Sequence, residues 1–411
     1  MRGHTMSRTH LHTQIRILYA LRVCSGALAC SVPVVVLFWR AHGLSLTQIT
    51  LLQCFFALVL TALEVPSGYL ADRWGRRRTL VVGTLGLAAG VGVYLFADTY
   101  LHFFVAELLF ALGIAMASGA DAAWLFDTLQ AAGLEEEYQR RWGSAQALSM
   151  VGYALFSSCG GVLYELHPRA PWLVAFVVSL MAVPCALALR ETPTDAKPSQ
   201  RSRAEGLLNV LRLAIEGNRG YRDVLLRSAL VLAAFQVGLW FYQPYFELSG
   251  IRPAWFGPLF ASFNLVAAFA SRNAERLDRF TARMPYGVAQ LAAVGLGFMG
   301  MGLLRAAAGV PLIFVHQVVR GWHVVSVSHR VNRLVSSERR ATLLSLVSMT
   351  NRGLYGLIVP LGGLAADRLG LPHALLLTGT VVSLGGFWLW LPRRSLAAGP
   401  LVDSVAGAVE E

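Results

Sequence analysis

Apolar residues in this chain run in long blocks. They do not alternate at a period of two, and they do not mark one face of short helices. Twelve blocks are legible, at about 15–39, 47–71, 79–97, 101–128, 142–166, 171–190, 224–248, 254–272, 286–305, 311–333, 342–366 and 372–392. Each is close to the ~20 residues a helix needs to cross a bilayer, so the pattern predicts an all-α membrane protein with twelve transmembrane helices. Most connectors are short and turn-like, such as Arg40 to Leu46 with Gly43, Asp98-Thr99-Tyr100, His167 to Pro171 and Ser249 to Pro253. The exception is Glu191 to Arg222, which holds Pro193, Pro198 and charges of both signs, then a modest amphipathic run at Leu207, Leu208, Val210, Leu211 and Leu213. It reads as a cytoplasmic linker with room for a surface helix. The expected organisation is a tail at 1–14, a six-helix bundle at 15–190, the linker at 191–222, a second six-helix bundle at 223–392 and a tail at 393–411.

Composition sharpens this picture. The chain is 55% hydrophobic and only 14% charged, too apolar for a soluble protein of its length. A net charge of +12 could suggest nucleic acid, but the cations are arginine-rich and cluster at the ends of apolar blocks, where bilayer topology is the better cause. Placing the even connectors, the linker and both termini on one side puts about 27 of the 35 Lys and Arg there, and leaves Arg40, Arg169, Arg252, Arg305 and Arg368 on the other. Both termini are therefore expected in the cytoplasm, in a multi-pass protein of the cell's inner (plasma) membrane. Arg22, Arg320 and Arg352 remain inside the spans. Cys24, Cys30, Cys54, Cys159 and Cys185 all fall within apolar blocks with no CxxC, which indicates neither a disulfide framework nor a metal site. The basic segment before the first block leads into a retained span, not a cleaved signal, and Met6 is an alternative start to Met1.

Shifting the sequence by 202–203 residues brings features into register. Ala71–Arg76 lies over Ala274–Arg279, Gly160-Gly161 with Glu165 lies over Gly362-Gly363 with Asp367, and Ser118–Asp121 lies over Arg320–His323. Duplicated halves imply a pseudo-two-fold axis and a site between the repeats near the middle of the membrane.

The densest polar stretch joins spans two and three: Gly68-Tyr69-Leu70-Ala71-Asp72-Arg73-Trp74-Gly75-Arg76-Arg77-Arg78. From charge alone it could be a topological anchor, but an aspartate among four arginines is odd for that task. The stretch resembles the loop motif of the major facilitator superfamily of secondary transporters, Gly-x-x-x-Asp-Arg-x-Gly-Arg-Arg/Lys, which Gly68, Asp72, Arg73, Gly75, Arg76 and Arg77 fill. The resemblance covers all twelve spans. It implies two pseudo-symmetric six-helix bundles, with spans one, four, seven and ten lining a central cavity. It also implies that Asp72 meets the cytoplasmic end of span eleven while the arginines meet an acid at the foot of span four, here Asp127, so that the loop acts as a conformational latch. The second copy of the motif, 270–279, is degenerate, with Asp278 in place of the glycine. The proline-glycine motif of many drug–proton antiporters is absent from span five, where Gly152 to Gly161 has glycines without proline. Glu64–Gly68 and Ser118–Asp127 look like a bacterial branch, drug-efflux-like or with unassigned substrates.

Charges inside a bilayer are costly and usually face a cavity or a partner. Spans three, six and twelve have no ionisable residue in their interiors, and span nine none before Arg305, as the outer helices of that fold should. At 1.5 Å per residue, Arg22 and Asp121 each lie roughly 11 Å from the cytoplasmic ends of their spans, with Glu64 comparable. These three are the candidates for proton coupling, since an acid beside a cation holds its proton weakly and a desolvated, unpaired acid holds it strongly. A structural salt bridge is the competing reading. Candidate cavity residues are Gln236, Trp240 and Tyr242 on span seven, His316, Arg320 and His323 on span ten, and Asn351 and Arg352 on span eleven, which together suit an amphipathic or anionic solute. Spacing of three and four places Arg320 and the two histidines on one face. Glu107, near the other end of span four, is either a gate residue or a snorkelling group.

The expected function is alternating-access secondary transport, with proton-coupled efflux of a small organic compound favoured over import or facilitated passage of an anionic metabolite. A non-transporting receptor or scaffold is the competitor from another class. No nucleophile–base pair, phosphate loop or Walker sequence is present, so neither an enzyme nor ATP drive from this chain is expected. The expected partners are a small-molecule substrate, protons and the lipid bilayer, for a monomer without cofactor or nucleic acid.

Overall fold

A computed structural model describes residues 8–191, 219–304, 307–334 and 337–390. Among these every regular element is helical. Nine stretches are long and apolar enough to cross a membrane, and Val288–Leu304 is a shorter apolar helix. Arg76–Tyr94 and Ser337–Leu369 complete the twelve. The three arginines that open Arg76–Tyr94 lower its average apolarity. The linker run 207–213, Arg305 and the tail from 393 lie outside the described residues.

Several helices outrun their apolar blocks: span two is Leu46–Trp74, span five Tyr138–Leu166, span seven Arg219–Leu248 and span eleven Ser337–Leu369. Among the described residues span one starts at Arg8, so half of the segment expected to be a tail is its first two turns. The cause is packing, with Leu11 and Gln14 buried. Gln14 Nε2 donates to the Ala188 carbonyl at 3.2 Å and Gln14 Oε1 accepts from the Arg190 amide at 2.7 Å, which ties the start of span one to the end of span six.

Two spans expected to be continuous are broken. In span one the α-helix Arg8–Ser25 passes into short 3-10 turns, Gly26–Cys30 and Val32–Val34, before Val35–Ala41, because Pro33 cannot donate a backbone hydrogen bond. Span four splits into Tyr100–Ala117 and Ala120–Ala131, with Ser118 extended and Gly119 left-handed at φ +76°. Glycine takes that conformation without the clash a β-carbon would bring.

Span three packs on four and six, span two on four, and span one on five and six. Span nine packs on ten and twelve, span seven on ten and eleven, and span eight on ten. These two groups meet chiefly through span two against eleven and span five against eight. Small residues let the backbones close up, as is usual where helices associate in lipid. A β-carbon at Gly113 would lie 2.8 Å from the Leu87 amide nitrogen and 2.9 Å from the Gly83 carbonyl. Gly113→Leu is therefore expected to cost about 1–3 kcal/mol of overpacking. Gly143→Ala, where nothing lies within 4 Å, should be neutral or slightly stabilising. Thermal unfolding of the detergent-solubilised variants reads the difference.

Candidate functional site

The arginine-rich loop bonds to spans four and six of its own half, and the side chains that open span eleven, where Asp72 was expected to dock, lie outside the described residues. Arg76 Nη1 lies 2.7 Å from Asp72 Oδ1 and Arg76 Nε 3.6 Å from Asp127 Oδ2. Arg73 reaches the Tyr69 hydroxyl, and Gly68 and Gly75 bracket these contacts. Glu191, at the end of span six, accepts from the Arg77 amide at 3.0 Å, while the Arg77 side chain donates to the Leu187 carbonyl at 2.7 Å. A carboxylate at a helix N-terminus is favoured by the free amides and the helix dipole there; the motif gave no hint of Glu191. In the other half Asp278, the residue that makes the second copy degenerate, accepts from Trp322 Nε1 at 2.8 Å and Ser326 Oγ at 2.9 Å. The second loop is thus also fastened to the helix beside it, with the acid on the loop instead of on the span.

Inside the spans, Arg22 Nη1 meets Asp121 Oδ2 at 2.7 Å. Its Nη2 donates to Gln146 Oε1, and its guanidinium lies over the Trp142 ring at 5.3 Å. Asp121 is buried and sits in the first turn after the Gly119 break, so the positive end of a half-helix adds to the arginine in stabilising its charge. Glu64 does not join this group. It pairs instead with Arg352 of span eleven, at 2.6 Å, across the two halves. Span two faces span eleven, and that orientation is invisible to a depth argument.

The span-ten cluster divides. His316 is fully buried, bonded to the Tyr242 hydroxyl at 2.9 Å and the Val294 carbonyl at 3.1 Å. His323 is likewise buried, against Gln290 at 2.7 Å and Ser228 at 3.2 Å. These histidines and Tyr242 are packing residues between spans seven, nine and ten and do not face the space between the halves. Arg320 points elsewhere. Its Nη2 donates to Asn264 Oδ1 of span eight at 2.9 Å, and its guanidinium lies 5.7 Å over Phe235. Trp240 donates to the Tyr355 hydroxyl at 3.0 Å and packs on Trp39 of span one at 6.0 Å between ring centroids. Gln236 and Asn351 are half-buried, and Asn351 Oδ1 is buried without a hydrogen-bond donor. Glu107 is no snorkelling group: it is buried and accepts from the Tyr94 hydroxyl at 2.8 Å.

The arginine-poor end is sealed by two matching contacts. Asp367, at the end of span eleven, accepts from the Leu46 and Thr47 amides at 2.9 and 2.7 Å, the first turn of span two. Glu165, at the end of span five, accepts from the Ala254 amide at 3.1 Å and pairs with Arg252 at 2.7 Å, at the entry to span eight. These are the two acids that the internal repeat superimposes. Beside them Gly161 lies against the Pro253 carbonyl, and Gly363 against Thr50 and the Leu46 carbonyl. Arg40 adds an ion pair to Glu247 at 2.6 Å. Gln243 of span seven accepts from the Val36 amide and donates to the Val32 carbonyl, both at 2.8 Å, satisfying backbone groups that the break in span one frees.

Two six-span groups around paired intramembrane charges, sealed at one end, define a multi-pass membrane transporter. The chain belongs to the Major Facilitator Superfamily, whose family model matches residues 17–353. It is 22% identical over 368 residues to the uncharacterized MFS-type transporter YxaM of Bacillus subtilis (strain 168), covering 85% of this chain and 90% of that protein. It is 26% identical over 213 residues to a probable 4-methylmuconolactone transporter of Cupriavidus pinatubonensis (strain JMP 134 / LMG 1197), covering 50% and 46%. Among solved structures, the nucleoside transporter NupG superimposes with a TM-score of 0.72 at 15% identity, covering 93% of this chain and 100% of that one. An inward-facing bacterial homologue of the human lysosomal transporter Spinster superimposes with a TM-score of 0.69 at 17% identity, covering 93% and 96%.

The two intramembrane ion pairs should respond differently to removal of one partner. Asp121→Ala leaves the half-buried Arg22 without its acid, at a cost of about 2–3 kcal/mol, below the full penalty of a fully buried pair. Glu64→Ala breaks a pair whose side chains are 53% and 30% exposed and should cost about 1 kcal/mol or less. Thermal unfolding of both variants, with Arg22→Met/Asp121→Leu as the relieved double variant, tests the ranking.

Proposed function

We propose that this protein is a proton-coupled secondary transporter that exports a small organic compound by alternating access, with both termini on the cytoplasmic side of the inner membrane. In that orientation the sealed arginine-poor end is the outer one, and the structure stands in the inward-facing state. The observation that carries the reading is the buried Arg22–Asp121 contact, at the break in span four, in a space whose outer end is closed by the other contacts. In this reading the pair exists in the inward-facing state, where Asp121 is held as a carboxylate. Opening outward separates the two groups, and the stranded, desolvated acid takes up a proton. One proton per cycle then accompanies the change of state.

The Asp72–Arg76–Asp127 cluster acts as the latch for the other state. On closure of the inner side Asp72 docks at the cytoplasmic end of span eleven, whose first side chains lie outside the described residues. Two relatives support a small organic solute by name: the 4-methylmuconolactone transporter, and the vesicular acetylcholine transporter of Mus musculus, which is 34% identical over 146 residues covering 35% of this chain and 26% of that protein. Those two solutes differ in chemistry, so the charge of this protein's solute must come from its own site.

The test is reconstitution in liposomes with an imposed pH gradient and a broad solute panel. Wild type should move a solute in response to the gradient, and Asp121→Asn should lose that response while still exchanging solute across the membrane without a gradient. An unchanged pH dependence in Asp121→Asn removes Asp121 from coupling, and a panel in which nothing moves removes transport itself.

A further inference from the structure

The three arginines inside the spans are not equivalent. Arg22 is neutralised by Asp121 and Arg352 by Glu64. Among the described residues Arg320 has no carboxylate partner: its Nη2 is held by the Asn264 Oδ1 at 2.9 Å and by the Phe263 carbonyl at 3.4 Å, both neutral. Its Nε and Nη1 make no hydrogen bond among the described residues, and neither is a buried nitrogen lacking a partner. The Nε and Nη1 donors are therefore free, while Nη2 is held by span eight and the flat face rests on Phe235 of span seven.

Tyr153 of span five lies within electrostatic reach of Arg320, so the group sits where span five of the first half meets spans seven, eight and ten of the second. The nearby titratable side chains on span ten turn away, since His316 and His323 are committed to spans seven and nine. Glu107 is enclosed on the other side by Tyr94 within the first half. A guanidinium anchored through Nη2 with donors still free is suited to an oxyanion, because charge-assisted hydrogen bonds are the strong ones and little side-chain freedom is left to lose. The cost of keeping an unneutralised cation at this depth is offset when such a group binds.

We propose that Arg320 is the substrate-docking cation, and that the transported solute is an organic monoanion whose carboxylate, or a similar oxyanion, accepts from its free N–H donors, with Asn264 and Phe235 as positioning residues. This rests on the reading of the chain as a transporter and adds the chemical class of its cargo. Arg22 and Arg352 then serve coupling and closure, and are not needed for recognition.

The experiment measures thermal stabilisation of the purified full chain by small aromatic and aliphatic carboxylates, benzoate, salicylate, phenylacetate and levulinate, each paired with its neutral amide, since a native-state ligand raises the unfolding temperature in proportion to its occupancy. At least one carboxylate should stabilise the protein, its amide should need about tenfold to a hundredfold higher concentration, Arg320→Gln should erase the difference, and Arg320→Lys should restore part of it. The unfolding temperature of each variant without ligand shows that it folds. Amides that bind as well as acids, a panel without a stabilising carboxylate, or an Arg320→Gln protein that still prefers the acid would each overturn the proposal. The liposome assay separates this outcome from the transporter reading. Carboxylates that bind through Arg320 but never cross the membrane sink transport and leave the docking role. A neutral or cationic solute that crosses while no acid binds sinks the anion and leaves transport.

Discussion

Two carboxylates hold the arginine-poor end of this molecule closed, and each does so by capping a helix of the opposite half. Asp367 satisfies the first amides of span two, and Glu165 satisfies the amide of Ala254 at the start of span eight. Free amides at a helix start need partners, and here the partners belong to the other bundle. Neither cap can be lost without exposing those groups to another acceptor, so opening this end requires water to replace two carboxylates together. Close backbone packing at Gly161 and Gly363 makes the contact compatible with only one relative placement of the helices. At the other end the loop at 68–78 ties Arg76 to Asp127 and Arg77 to Glu191 within the first half.

Deeper in, the same economy of charge applies. A lone ion in hydrocarbon costs several kcal/mol, and two of the three intramembrane arginines are matched by acids. The Arg22–Asp121 pair stays within one half and is reinforced by the half-helix that begins after Gly119, whereas Glu64–Arg352 crosses between halves. The second cannot change its geometry without moving the bundles, which is a reason to assign closure to it. Arg320, left without an acid among the described residues, is the place where a solute's charge has a structural use.

Much of this was legible in the residues. Block length and the placement of arginine predicted twelve helices, and the 202-residue repeat aligned Glu165 with Asp367. Depth counting paired Arg22 with Asp121. It failed for Glu64 because a helix can present one depth to several neighbours, and only packing decides which. It failed for His316, His323 and Tyr242 because three- and four-residue spacing identifies a face but not what covers it, and span nine covers that one. Gln146 and Glu191 gave no signal, since a single polar residue near a span end is ordinary. The breaks at Gly119 and around Pro33 carried a weak one, because glycine and proline are common in membrane helices without interrupting them.

The central claim is that the arginine-poor end opens and closes, and that the two cross-half caps set its closed state. Spin labels at His167 and Leu369, one on each half beside the seal, measure this directly through the distribution of distances between them in the full-length protein. The account predicts a short-distance population in wild type and a shift toward a second, longer one when Asp367→Asn and Glu165→Gln are combined. A single distribution that both substitutions leave unchanged would contradict it.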